Sequence, residues 1–490
     1  MKTKNQVFIK QNEWIFVVIM SVIMAVITTA PYLYGYFTAP EDKVFTGVSF
    51  LSITDTPVYY SYIEQVKAGN FLFENLFTSE PTNIRNLNIL WLDVGMFARI
   101  FHLPTPIAFQ IYRIICIFLF LVVLYLFISR FFEKRKQRFF CFTFALFASG
   151  VGGLAAPFIK PYLSAGYYHW PMDLWVTESN IFLTLYQSPH FIVSLGLMLL
   201  SIIFVLKNNL KMSFLSGLCL LFLFQFHPYY APFLYVLFGV YLLWRGKPLN
   251  FLPIFLISLP SVLYHAYLLN FDFPTFVRAM QTQTLTTEWW LTLISYGFLL
   301  VFAVWSAIQN FKKEKYQFLI LWMIIGFTFL YLPIPFQRRF TEGLSIPMII
   351  LSSVVIFEFL YRRDHALPRL YICIFALATL FLFSNVFNYT RAFGIYQKKD
   401  MPYYVSKNVI EKMYWMRDNL DENTIVLSTK KYSAFIPGFS GRRVFFGHWS
   451  ETAFPAEKEK LVDKFFDDDV SDEWKDKFLK DNKIDYIFYD

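Results

Sequence analysis

The chain has 490 residues, of which 56% are hydrophobic, 21% aromatic and only 16% charged, and its mean hydropathy is +0.44. A soluble domain carries about 25% charged residues; this composition, with apolar runs of membrane-spanning length throughout, excludes a soluble globular protein and indicates a polytopic membrane protein. The net charge of +9 does not indicate nucleic-acid binding: residues 391–490 carry 17 basic and 18 acidic side chains, so the excess belongs to the apolar part, where basic loops orient spans.

The first apolar run, Trp14 to Tyr34, is too long for a signal core and lacks a small-residue cleavage site, so it is expected to stay as an anchor. A long segment, 35–106, follows. In it, Ser52-Ile53-Thr54-Asp55-Thr56-Pro57-Val58-Tyr59-Tyr60 opens a helix, with Thr54 or Thr56 as cap, Pro57 in the first turn and Gly69 at the end. A carboxylate at a helix start is favoured in its ionised form by the free N–H groups and the dipole, so Asp55 is a candidate base or metal ligand. The competing reading of Asp55 is a plain helix cap. Beyond it come a Glu80-Pro81 turn and an amphipathic stretch around Asn88–Phe101, expected to lie along the membrane surface.

Eleven spans are predicted, at about 14–34, 107–129, 139–158, 187–206, 212–227, 230–244, 250–268, 290–310, 316–334, 344–361 and 369–387. The break at His227-Pro228-Tyr229-Tyr230 separates the fifth from the sixth. With that break, every short basic loop falls on one side, which the positive-inside tendency makes cytoplasmic: Lys2, Lys4 and Lys10; Arg130, Lys134, Arg135, Lys136 and Arg138; Lys207 and Lys211; Arg245 and Lys247; Lys312, Lys313 and Lys315; Arg362, Arg363 and Arg369. The N-terminus is then cytoplasmic, and the chain divides into a transmembrane part, 1–390, and an extracytoplasmic part, 391–490. The latter reads as helix Tyr403–Leu420, strand Thr424–Ser428, a turn at Pro437-Gly438, strand Arg443–Gly447, two helices and strand Tyr486–Tyr489: a small α/β domain with a three-stranded parallel sheet. It has no Gly-rich phosphate loop. The four cysteines (Cys116, Cys141, Cys219, Cys373) all fall in apolar spans, so no disulfide framework is expected in the outer regions. The fold class is therefore mainly α, with about eleven membrane helices and a small C-terminal α/β domain.

Polar residues of interest gather on the outer side. Six of the seven histidines map there, all but His365. Asp173, Glu178, His190 and His227 are predicted to converge; carboxylate and imidazole together suit a divalent cation such as Mg2+ or Mn2+, although no fixed ligand spacing is present. The competing reading is that the histidines cap helix ends beside prolines. Arg338-Arg339, in Pro333-Ile334-Pro335-Phe336-Gln337-Arg338-Arg339-Phe340, oppose the positive-inside tendency, and guanidinium groups suit bidentate binding of phosphate. A salt bridge to Glu342 or another outer carboxylate, or contact with lipid headgroups, competes with that reading. Arg113, near the outer end of the second span, is expected to orient a carboxylate.

The order of features has a familiar shape. A short inner N-terminus and one span lead to a long outer loop that opens with an aspartate and a Tyr-rich helix. Then come Ala68-Gly69-Asn70-Phe71, a proline turn, a surface helix and a span led by Tyr112-Arg113-Ile114. This resembles the GT-C membrane glycosyltransferases, which include protein O-mannosyltransferases, aminoarabinose transferases and oligosaccharyltransferases, in detail over residues 14–130 and in topology over the whole chain. The resemblance implies a polyprenyl phosphate or diphosphate sugar donor used on the extracytoplasmic face of a bacterial cell membrane, and a glycan, lipid or protein acceptor. It also implies that Asp55 is a catalytic base or metal ligand and that Asp173 or Glu178 assists; single displacement at the anomeric carbon would invert its configuration. Glu80 and Arg113 are further supporting candidates; Asp55, Asp173, His190 and His227 are the candidate metal ligands. Two departures matter. No Asp-x-Asp or Glu-x-Asp pair occurs in the second loop, and Trp289-Trp290 is followed by Leu291 where oligosaccharyltransferases have aspartate, which speaks against N-glycan transfer. The alternative is a transporter or flippase for a lipid-linked or anionic solute, which should bury ionisable groups near the bilayer midplane.

Overall fold

The computed structural model describes residues 9–163, 169–362 and 367–489, with side chains outside 361–379. Lys2, Lys4, Arg363 and His365, and the side chains of Arg362, Arg369 and Cys373, lie outside that description. In chain order the helices are α1 (Gln11–Phe37), α2 (Asp55–Ala68), α3 (Ile89–Ile100), α4 (Thr105–Ser129), α5 (Arg135–Phe147), α6 (Gly152–Ile159), α7 (Ile181–Gln187), α8 (Pro189–Val205), α9 (Leu210–Phe226), α10 (Ala231–Trp244) and α11 (Phe251–Phe271). They continue as α12 (Phe273–Gln281), α13 (Trp289–Asn310), α14 (Glu314–Phe329), α15 (Ser345–Arg362), α16 (Leu367–Gln397), α17 (Lys407–Asn419), α18 (Lys430–Ser433), α19 (Phe435–Ser440), α20 (Pro455–Phe465) and α21 (Asp472–Asp481). The strands are β1 (Lys43–Phe45), β2 (Tyr404–Ser406), β3 (Ile425–Ser428), β4 (Arg443–Val444) and β5 (Tyr486–Phe488).

The molecule is a mainly α, polytopic membrane protein. Each of the eleven expected spans overlaps a helix. Six helical segments among the described residues are long and apolar enough to cross a membrane, and α8, α9 and the segment Pro228–Trp244 are shorter apolar helices. The third expected span is not one straight helix. Extended backbone at Ala148 (φ −63°, ψ 130°) divides α5 from α6, and the freed groups are satisfied across the bundle: Ser149 N–H donates to Phe381 O at 2.7 Å, and Val151 N–H to Ile294 O at 3.2 Å. The break coincides with the small-residue run Ser149-Gly150-Val151-Gly152-Gly153. At His227 (φ −132°, ψ 67°) the helix is interrupted as expected.

The chain forms two compact units, one of residues 1–31, 113–261 and 284–394, the other of 32–112, 262–283 and 395–490. In the second unit the C-terminal segment is built together with the first long loop. β1 pairs with β2 antiparallel, and β3 is the centre of a parallel sheet of order β4-β3-β5, the three-stranded sheet expected. Two local expectations are corrected. Tyr404–Ser406, expected as helix, is extended because it completes the ladder with Lys43–Phe45. Pro437-Gly438, expected as a turn, lies within α19, whose packing against α2 brings Gly438 against the carbonyl of Pro57. Tyr60, Ile63 and Val66 of α2, Trp91, Val94 and Ala98 of α3, Val409 and Met413 of α17, and Ile436 and Phe439 of α19 share one buried core. Each such side chain removed from water stabilises by about 1.5–3 kcal/mol, so α2 is a rigid element.

Candidate active site

Asp55 begins α2. The helix ends as expected, with Gly69 in the left-handed region (φ 109°), but its start differs from expectation: Thr54 makes no side-chain cap, and Thr56 Oγ1 donates to Ser52 O at 2.9 Å. The Asp55 carboxylate meets two other side chains. Ser52 Oγ donates to its Oδ2 at 2.6 Å, and His448 Nε2 lies 3.2 Å from its Oδ1. The carboxylate is 43% exposed, whereas the imidazole is 1% exposed. This juxtaposes an accessible carboxylate with a buried imidazole.

The loop 447–452 holds His448 rigidly. Ser450 N–H and Glu451 N–H both donate to His448 Nδ1, each at 3.1 Å. Two N–H donors require a lone pair on Nδ1, so the proton is assigned to Nε2, aimed at Asp55. Thr452 Oγ1 accepts from the N–H groups of Gly447 (3.1 Å) and His448 (3.0 Å) and donates to Phe77 O at 2.7 Å. Gly447 is required by close packing: a Cβ there would meet Val444 Cγ2 at 2.7 Å. Arg278 of α12 grips the loop from its other side through Glu451, at 2.9 Å, and this pairing holds the guanidinium pKa above its ordinary value. Gln281 Nε2 donates to Ser450 O (3.0 Å) and Thr452 O (2.6 Å). Glu80, in the same unit, accepts from Lys458 Nζ at 2.6 Å and from the Thr78 hydroxyl; burial holds the Lys458 ammonium below its usual pKa.

The other expected residues belong to the first unit. Glu178, His190, His227 and Arg339 do come together. Arg339 Nη1 is 2.7 Å from Glu178 Oε1, with its guanidinium 5.6 Å from the Tyr229 ring centroid; the rings of His190 and His227 are 5.2 Å apart. The arginine's carboxylate partner is thus Glu178. Glu342 is buried beside them, accepting from the hydroxyls of Ser194 and Tyr230, with His227 Nδ1 at 3.9 Å. Arg338 lies over Trp175, 4.5 Å from its ring centroid. Arg113 is fully buried and donates to Thr28 Oγ1 (3.1 Å), Thr29 Oγ1 (2.9 Å) and Leu185 O (2.7 Å).

Asp173 has a different setting. Its Oδ2 accepts from Gly152 N–H at 2.9 Å, in the break between α5 and α6, and Asn388 Nδ2 donates to its backbone carbonyl at 2.8 Å. A Cβ on residue 152 would collide with the carboxylate. Burial pushes the Asp173 carboxyl up to about 7. The four candidate metal ligands do not form a donor set within either unit: Asp55 is in one and the rest in the other, Asp173 turns to Gly152, and His190 Nδ1 is 2.7 Å from Ser188 Oγ. Among the described residues, no group of three or more His, Cys, Asp or Glu side chains could hold a metal ion. Sequence reasoning did not pair His448 with Asp55 or Tyr230 with Glu342, although His448 counted among the outer histidines; Glu342, named there as a partner for the arginines, is instead held by Ser194, Tyr230 and His227.

No family model and no curated protein matches the chain. Solved structures do. The apo oligosaccharyltransferase of Archaeoglobus fulgidus is similar with a TM-score of 0.60 and 11% identity, covering 98% of this chain and 70% of that one. The same organism's oligosaccharyltransferase AglB, in complex with an inhibitory peptide and a dolichol-phosphate, gives a TM-score of 0.56 at 12% identity, again over 98% and 70%. A third structure, tethered to an acceptor peptide containing the NVT sequon, gives 0.56 at 13% identity over 96% and 68%. The chain therefore has the GT-C fold.

Proposed function

We propose that this protein is a membrane glycosyltransferase that moves a sugar, a hexose or pentose, from a polyprenyl-phosphate-linked donor to an acceptor on the extracytoplasmic face, with inversion. The observation that carries the reading is the half-exposed Asp55 at a helix start, fixed between Ser52 and the buried His448 on a GT-C fold. The neighbours bound to dolichol-phosphate and to peptide support a lipid-linked donor and leave glycan, lipid and protein acceptors open.

In the proposed reaction Asp55 takes the proton of the acceptor hydroxyl as its oxygen bonds to the anomeric carbon. The bond from that carbon to the donor phosphate breaks, and the polyprenyl phosphate leaves with the electron pair. His448 does not exchange this proton: its Nδ1 lone pair is occupied by two backbone N–H groups, so Nε2–H orients the carboxylate, which stays 43% exposed. Arg338 and Arg339 are proposed to bind the donor phosphate, where fixed cations favour the charge that develops on the leaving group. Trp175 and Tyr229 limit the positions of the two guanidiniums, and Glu178 fixes Arg339.

The test is transfer from radiolabelled polyprenyl-phosphate sugars by membranes carrying the full chain. Asp55→Asn should lower the rate by roughly 10²–10⁴-fold, the usual worth of a general base, with expression unchanged, since Asn starts a helix nearly as well as Asp. Full activity in folded Asp55→Asn protein would overturn the assignment.

A further inference from the structure

The helix α12 has its polarity reversed. Its apolar residues Phe273, Phe276 and Met280 recur at a spacing of three and four, on one face of a helix, and that face points outward, with exposures of 44%, 49% and 69%. Its inward face buries Pro274 and Val277 and carries the polar Arg278 and Gln281. A helix on the surface of a water-soluble domain does the opposite.

The polar side is fully engaged within its own unit. Asp272, 3% exposed, caps the helix by accepting from Thr275 N–H at 3.1 Å, and its other oxygen accepts from Asn83 N–H at 2.9 Å. Arg278 holds Glu451, and Gln281 holds the carbonyls of Ser450 and Thr452 and accepts from Phe454 N–H at 3.2 Å. Phe454 extends the outward apolar surface beside Phe273, with ring centroids 6.3 Å apart.

The covering of this face follows from what precedes it. The segment Pro248–Phe271 is a candidate membrane span whose core window is only 28% buried by protein, and a single residue, Asp272, separates it from α12. Leu263, Tyr267 and Phe271 at its end are exposed, so the outward apolar surface continues from the span into α12. A helix tethered at the end of a span, with apolar side chains outward, fits the boundary between headgroups and acyl chains.

We propose that α12 lies in the membrane interface, with Phe273, Phe276 and Met280 in lipid, and that its polar side clamps the loop that presents His448 to Asp55. The partner is the lipid surface itself. This placement does not depend on the proposed transfer reaction.

The test uses the unmodified full chain in phosphatidylethanolamine/phosphatidylglycerol vesicles, labelled by a carbene reagent confined to the hydrocarbon. Peptide mass spectrometry should find adducts on Phe276 and Met280 on the order of tenfold above those on exposed α21, as expected for side chains held within the acyl boundary. As a second measurement, benzoylphenylalanine placed at 276 or 280 should cross-link to phospholipid, and the same group at 477 should not. Labelling of 276 and 280 at the α21 level, or cross-links to another polypeptide in place of lipid, would overturn the proposal.

Discussion

His448 offers a clean separation of structure from chemistry, because its two ring nitrogens have different tasks. Nδ1 accepts from two backbone N–H groups, one buried and one part-buried, and Nε2 approaches the Asp55 carboxylate at 3.2 Å. A hydrogen bond to a charged group contributes about 1.5–3 kcal/mol, which corresponds to roughly ten- to 150-fold in rate if it is needed to hold Asp55 in register. The carbonyl oxygen of Asn can stand near the Nδ1 position but nothing of Asn reaches the Nε2 position; the amide of Gln does the reverse. His448→Asn should therefore keep the loop folded and lose roughly that factor in transfer rate. His448→Gln should retain most of the rate per folded molecule and lower stability, since each orphaned buried N–H costs about 1–3 kcal/mol. The assay is sugar transfer normalised to folded protein, alongside thermal unfolding in detergent. Full activity in His448→Asn would refute a positioning role for the imidazole.

Two further outcomes are expected. Arg338→Ala and Arg339→Ala should each weaken binding of a short-chain polyprenyl phosphate to purified, folded protein by roughly ten- to a hundredfold, with lysine restoring only part because it lacks the bidentate fork; wild-type affinity in both alanine variants would remove the pair from donor binding. Asp173, held at about 7 by burial against about 3.9 when unfolded, contributes stability that is fully present below the unfolded value and lost as pH rises through 7. The difference is worth at most about 4 kcal/mol, so the unfolding midpoint should fall between pH 5 and pH 8 in the wild type and much less in Asp173→Asn; a flat wild-type profile would contradict it.

What the sequence reveals here is what is local. The apolar runs mark the helices, because a 30 Å hydrocarbon layer demands about twenty apolar residues wherever it is crossed. Pro57 and Gly69 bracket α2 because fixed φ and positive φ are requirements of single residues. What escapes it depends on pairing across the chain. Tyr404–Ser406 is too short to show alternation, and becomes a strand only because Lys43–Phe45 meets it. Arg339 finds Glu178 across 161 positions, and His448 finds Asp55 across 393. The α5–α6 break falls within an apolar run, and the backbone partners that stabilise it come from residues 294 and 381.

The helix α12 shows how the two levels combine. Its residue spacing states that one face is apolar and the other polar, and nothing in 273–281 states which face turns inward. In water the apolar face would be buried. Here Glu451, Ser450 and Thr452, more than 160 positions away in the chain, offer a carboxylate and two carbonyls to Arg278 and Gln281. Pairing those part-buried polar groups inside the protein leaves Phe276 and Met280 facing outward, where the proposed lipid covers them. The inward polar face and the outward lipid are therefore one arrangement, and the loop bearing His448 is held in place by both.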